Sequence, residues 1–209
     1  MYKGERFNSL THIVGALFAC IGFVVLMIPA IQQNDLLKMV SFAIYGSSLI
    51  LLYTFSSLYH SLKGKAKRIF QKLDHNIIYL FIAGTYTPFT LITLKNNGGW
   101  WIFSFIWFLA LCGVVLELLP KSKRGHFPVI VYLVMGWFIL VAFKPLLEHL
   151  TKAGTSLLVI GGILYTVGVF FYVFDTRVRH FHGIWHLFVM AGSLAHYLAI
   201  LLYVAFMNN

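Results

Sequence analysis

The chain of 209 residues is 60% hydrophobic, has a mean hydropathy of +0.84 and carries only 11% charged residues. A soluble domain of this size cannot hide that much apolar surface, so the composition excludes the soluble globular class and points to a membrane. The net charge of +10 does not indicate a nucleic-acid binder, because Lys and Arg fall in short breaks between apolar runs, where membrane proteins keep them.

A spanning helix needs about 20 mostly apolar residues. Such runs predict seven spans, near residues 10–31, 38–62, 74–94, 99–119, 127–147, 154–175 and 183–206, in a single domain over 1–209. The first run, from Leu10 to Ala30, is too long for the apolar core of a signal peptide and lacks a small-x-small cleavage site. Cys20 and Cys112 lie singly in the first and fourth runs with no CxxC pair, so no disulfide is expected. Pro88, in GTYTPF, is expected to kink or locally open the third span. In the sixth, Gly161, Gly162 and Gly168 read as close-packing positions. In the seventh, Ala191, Ala195 and Ala199 form a small-residue ridge nearly opposite His182 and His186. The continuous runs are far longer than the ~10 residues of a barrel strand. With very short connections, they predict an all-α membrane protein, a seven-transmembrane helix bundle.

Twelve of the 16 Lys and Arg residues fall on the side of the N-terminus: Lys3, Arg6, the basic residues within 63–72 and 121–124, Arg177 and Arg179. Lys38, Lys95, Lys144 and Lys152 fall on the other. The positive-inside rule then places the N-terminus in the cytoplasm and the C-terminus outside, in a multi-pass protein of the cell membrane.

Polar residues inside such helices need a reason. His182 and His186, spaced i, i+4, stack on one face of the seventh span, continued by Ser193 with His196 beside it. His196 lies roughly 15 Å beyond His186, too far to share an ion with both. Ser56 and His60, again i, i+4, end the second span, and Asp74 is expected in the first turn of the third. Each alone has a structural reading: imidazoles hydrogen-bond between helices, His60 meets headgroups, and Asp74 caps a helix. Their common depth at the cytoplasmic side favours a metal site, since three protein ligands with a fourth position left for water is how catalytic zinc is held. His75, His126, His149 and His180 read as solvated or headgroup contacts, and Glu117 and Asp175 as partners of the basic loops.

These residues resemble the hemolysin III family, the bacterial branch of the progestin and adipoQ receptor superfamily. The resemblance runs nearly end to end. It rests on E-x2-N-x3-H (Glu5, Asn8, His12), on S-x3-H followed by KLD (Ser56, His60; Lys72, Leu73, Asp74), and on H-x3-H (His182, His186) with His196 also in family position. The resemblance implies a seven-helix bundle with a cytoplasmic N-terminus and zinc held by His60, His182 and His186. It also implies an aspartate, Asp74, that holds a water at the zinc. The superfamily is grouped with alkaline ceramidases, which are zinc amide hydrolases, and the family name comes from a cytolytic activity attributed to some members.

The function expected is zinc-dependent hydrolysis of an amide or ester bond in a lipid-like substrate, with Asp74 taking the proton and Ser56 bonding the water or a developing oxyanion. Membrane lipids are the expected partners. Two alternatives stand beside it: a regulator or sensor of membrane lipid state with structural zinc, and a cytolytic pore-former. The chain shows no charged ring that reads as a channel lining.

Overall fold

The computed structural model describes residues 4–119 and 127–207. The described residues form helices α1 (Arg6–Gln32), α2 (Leu36–Ser61), α3 (Gly64–Pro88), α4 (Gly99–Leu118), α5 (Phe127–Trp137), α6 (Phe143–His149), α7 (Lys152–Val173) and α8 (Phe181–Tyr203), with no strand among them. A 3-10 segment, Phe138–Ala142, joins α5 to α6, so these two make one span. Seven helical stretches are long and apolar enough to cross a membrane.

Local signals start and stop the helices. Asp35 Oδ1 accepts the Lys38 amide at 3.0 Å to begin α2, and Thr151 Oγ1 accepts the Gly154 amide at 3.1 Å to begin α7. Pro88 lacks the N–H that an α-helix needs, and the chain after it widens into a π turn, Phe89–Thr93. The opening expected at Pro88 takes this form. α3 forms the central post, buried over most of residues 76–88, with α2 and α4 packed against it. Extensive α1–α2 and α7–α8 seams and contacts between α1 and α8 join the outer helices, while α5 meets α3, α4 and α7, and α6 meets α7. Large apolar side chains such as Leu17 (62% exposed) and Phe18 (67%) point outward, where a bilayer rather than water must meet them.

Two expectations about α3 and α8 need correction. α3 begins at Gly64, ten residues earlier than predicted, so Asp74 is not in its first turn and caps nothing. Residues 64–73 are too charged to look like a span, yet Lys, Ala, Arg and Gln are good helix formers and extend the helix beyond the apolar zone. In α8, Ala195 and Ala199 are buried but Ala191 is exposed, so the small-residue ridge stops short. The glycines of α7 divide similarly. A methyl group at Gly161 would lie 2.2 Å from the His196 ring and one at Gly168 2.8 Å from Phe188, whereas Gly162 has nothing nearer than 3.6 Å.

Candidate metal centre

His60 stands in the last turn of α2, and His182 and His186 in the first two turns of α8. Gly183 allows this meeting. A methyl group there would lie 2.7 Å from Phe7 and 3.1 Å from Asn8 Oδ1, so glycine lets the start of α1 close over the start of α8. The three rings form a nearly equilateral triangle, with centroid separations of 4.9, 5.0 and 4.9 Å. One ligand atom from each lies within 4.8 Å of the others. His60 and His186 are 2% and 1% exposed, while the His182 side chain is 27% exposed.

The facing nitrogens test whether a metal fits. Nε2 of His60 and Nε2 of His182 are 3.2 Å apart. Ligand nitrogens about 2.05 Å from a tetrahedral zinc would be separated by about 3.3 Å. The spacing therefore suits a shared cation, and the donor set, three imidazoles, suits zinc better than magnesium or calcium.

Each ring is braced from behind. Glu5 Oε2 accepts from Nδ1 of His60 at 2.6 Å, and Asp175 Oδ2 from Nδ1 of His182 at 2.6 Å. Nδ1 of His186 donates to the main-chain carbonyl of Asn8 at 3.1 Å. Asn8 Nδ2 in turn donates to Glu5 at 3.0 Å, and Lys67 Nζ lies 3.3 Å from Glu5 Oε1. Burial pushes the Glu5 carboxyl up, but His60, Asn8 and Lys67 together outweigh it and hold the group below its ordinary value. His12 stacks on His186 at 3.7 Å, and neither of its ring nitrogens has a hydrogen-bond partner.

Asp74 and Ser56 line the cavity beside these rings, but the Asp74 carboxylate stays outside the close group of ligand atoms. The cavity has a volume of about 490 Å³. It runs from His182 and His186 to His196, ten residues further along α8, about 15 Å. Tyr132 and Trp137 of α5 and Gly162 and Val169 of α7 also line it. His196 is a buried lining residue, its Nε2 donating to the Leu158 carbonyl at 3.0 Å, so it belongs to the cavity and is not a fourth ligand.

The structure thus brings His60, His182 and His186 together, with Asp74 and Ser56 on the same cavity. It reassigns Asp175, one of the two acidic residues expected to pair with basic loops; the basic residues 121–124 next to the other, Glu117, lie outside the described residues. Asp175 holds His182, and Glu117, whose side chain is 4% exposed, lies 3.5 Å from Nδ1 of His75. His75, whose side chain is 27% exposed, thus lies beside a carboxylate as well as meeting its surroundings. His149 bonds Asn97 at 3.0 Å and His180 is exposed, while His126 lies outside the described residues. Sequence reasoning assigned no role to Glu5, Asn8 or His12 beyond the motif that contains them. Their contacts with His60 and His186 join residues more than fifty positions apart, and no local pattern encodes that.

Residues 1–197 match the family described as Haemolysin-III related. The chain is 43% identical to Hemolysin-3 of Bacillus cereus over 203 residues, covering 97% of this chain and 92% of that protein. It is also 43% identical to the Hemolysin-3 homolog of Bacillus subtilis (strain 168), covering 96% and 94%. The human Monocyte to macrophage differentiation factor is 30% identical over 206 residues, covering 88% and 82%. With seven spanning helices and a family match over nearly its whole length, the chain belongs to the hemolysin III family of multi-pass membrane proteins.

Proposed function

We propose that His60, His182 and His186 hold a zinc ion and that the site hydrolyses an amide or ester bond of a lipid-like substrate taken from the surrounding bilayer. The observation that carries this reading is the triangle of imidazoles opening onto a long, mostly apolar cavity with a carboxylate set back on its wall. Zinc bound there supplies a Lewis acid and a water of pKa about 7. Asp74 accepts the proton of the attacking water. The Ser56 hydroxyl donates to the carbonyl oxygen on which charge develops. The cavity beyond the rings takes an acyl chain and excludes bulk water, and His12 and Nδ1 of His196, both without partners, offer hydrogen bonds to polar groups of the substrate.

The test is metal content by mass spectrometry on purified wild-type protein beside His60→Ala and His186→Ala, with hydrolysis of lipid amides and esters followed on the same samples. The expected result is about one zinc per chain, lost together with activity in both variants. Unchanged zinc and activity in His60→Ala would sink the proposal. Likeness to proteins named hemolysin supports cytolysis as a second reading. Dye release from liposomes by the purified protein separates the two.

A further inference from the structure

All three rings of the triangle engage an oxygen through Nδ1: Glu5 for His60, Asp175 for His182 and the Asn8 carbonyl for His186. An ionised carboxylate or a carbonyl oxygen accepts hydrogen bonds and cannot donate them. The proton of each neutral imidazole therefore sits on Nδ1, and the lone pair sits on Nε2. The Nε2 atoms of His60 and His182 face each other at 3.2 Å. Two lone pairs at that distance repel unless a positive charge lies between them.

The source of the braces also has a pattern. Glu5 precedes α1 and Asn8 lies in its first turn, held there by Phe7 and Asn8 against Gly183. Asp175 follows the end of α7. Neither carboxylate lies on the helices that carry the three histidines. Three neutral imidazoles would leave the double charge of a metal uncompensated at the membrane edge, and two carboxylates one ring away supply the opposite charge.

We propose that Glu5 and Asp175 are positioning residues of the metal centre, which fix His60 and His182 as Nδ1–H tautomers with Nε2 aimed at one point and balance the charge of the bound ion. This rests on the metal reading above. Glu5 is itself held by Asn8 and Lys67, so the residue that precedes α1 is part of the site.

The test uses the full-length purified protein loaded with zinc and challenged with the chromogenic chelator 4-(2-pyridylazo)resorcinol. Glu5→Ala and Asp175→Ala remove acceptor and charge together. Glu5→Gln and Asp175→Asn keep an acceptor oxygen and remove only the charge. Each alanine variant is expected to bind zinc about 10–100-fold more weakly than wild type, with the amide variants in between. Cobalt loaded in place of zinc should show altered visible absorption in the alanine variants, because the rings are no longer held in one orientation. A merely structural role would lower the unfolding temperature of the metal-free protein and leave zinc affinity and the cobalt spectrum of the folded fraction unchanged, and that result overturns the proposal. Wild-type protein that binds no zinc at all would overturn the metal reading and this inference with it. Tight zinc binding in wild type and both alanine variants, lost only in His60→Ala, overturns this inference alone.

Discussion

The imidazole of His196 packs against α7 at Gly161, close enough for its Nε2 to donate to the Leu158 carbonyl at 3.0 Å on the same helix. One residue thus fastens α8 to α7 beside the cavity. The contact depends on the missing side chain at 161, where a methyl group would fall 2.2 Å from the ring. Gly161→Ala must push His196 away from Leu158 and into the cavity. A loss of about 1–3 kcal/mol is expected from overpacking, read as a lower unfolding temperature in detergent. Gly162→Ala, whose nearest neighbour would be 3.6 Å away, should leave that temperature unchanged. Equal effects at the two positions would mean that the His196 contact is not what the glycine serves.

Tyr86 repairs the break in the fifth span. Its hydroxyl donates to the Met135 carbonyl at 2.7 Å and accepts from the Ile139 amide at 2.7 Å, at the point where α5 gives way to the 3-10 segment. Inside a bilayer an unpaired main-chain group finds no water to replace a lost partner. Tyr86→Phe keeps the ring and leaves both groups unpaired, so a destabilisation of about 1–3 kcal/mol is expected. Hydrogen exchange of the Ile139 amide should rise with it. An unaltered exchange rate would show that the helix break is held by something other than the hydroxyl.

How far the sequence could be read follows from which interactions are local. The seven spans were legible because their apolar runs match the bilayer thickness, and the three histidines because i, i+4 spacing and common depth converge on one end of the bundle. The start of α3 was missed, since a charged amphipathic turn has no hydropathy signal. Glu5 and Asp175 were missed as partners of His60 and His182 because those pairings depend on how α1 and the end of α7 pack. Lys38 shows the same limit from the other end of the bundle. It counted as a loop charge, yet it is 1% exposed, with its ammonium bonded to Gln33 and to the Met207 carbonyl.

In the sequence most Lys and Arg fall on the side of the spans that carries the candidate metal centre, and the positive-inside rule predicts that this side is cytoplasmic. In a chain with Cys20 and Cys112 replaced by serine, Ser122→Cys should react with a membrane-impermeant maleimide only after permeabilisation. Asn96→Cys should react in intact cells. The reverse pattern would place the histidines in the outer leaflet and remove the inner-leaflet lipids from the set of substrates.

Under the proposed function, Asp74 is the residue that separates catalysis from metal binding. Its carboxylate lines the cavity with Ser56, His182 and His186 but stays outside the group of ligand atoms. Asp74→Asn removes a proton acceptor without removing a ligand. Zinc content is therefore expected to stay at the wild-type level, whereas turnover of a lipid amide or ester should fall by about 100–10,000-fold, the usual weight of a general base. Chelation of the wild-type protein should abolish the same turnover, and added zinc should restore it, while Asp74→Asn should remain inactive however much zinc is supplied. Zinc lost from Asp74→Asn would make the aspartate a ligand. Full activity with zinc retained would remove it from the chemistry and leave the ion a structural part, as a sensor of membrane lipid would have it.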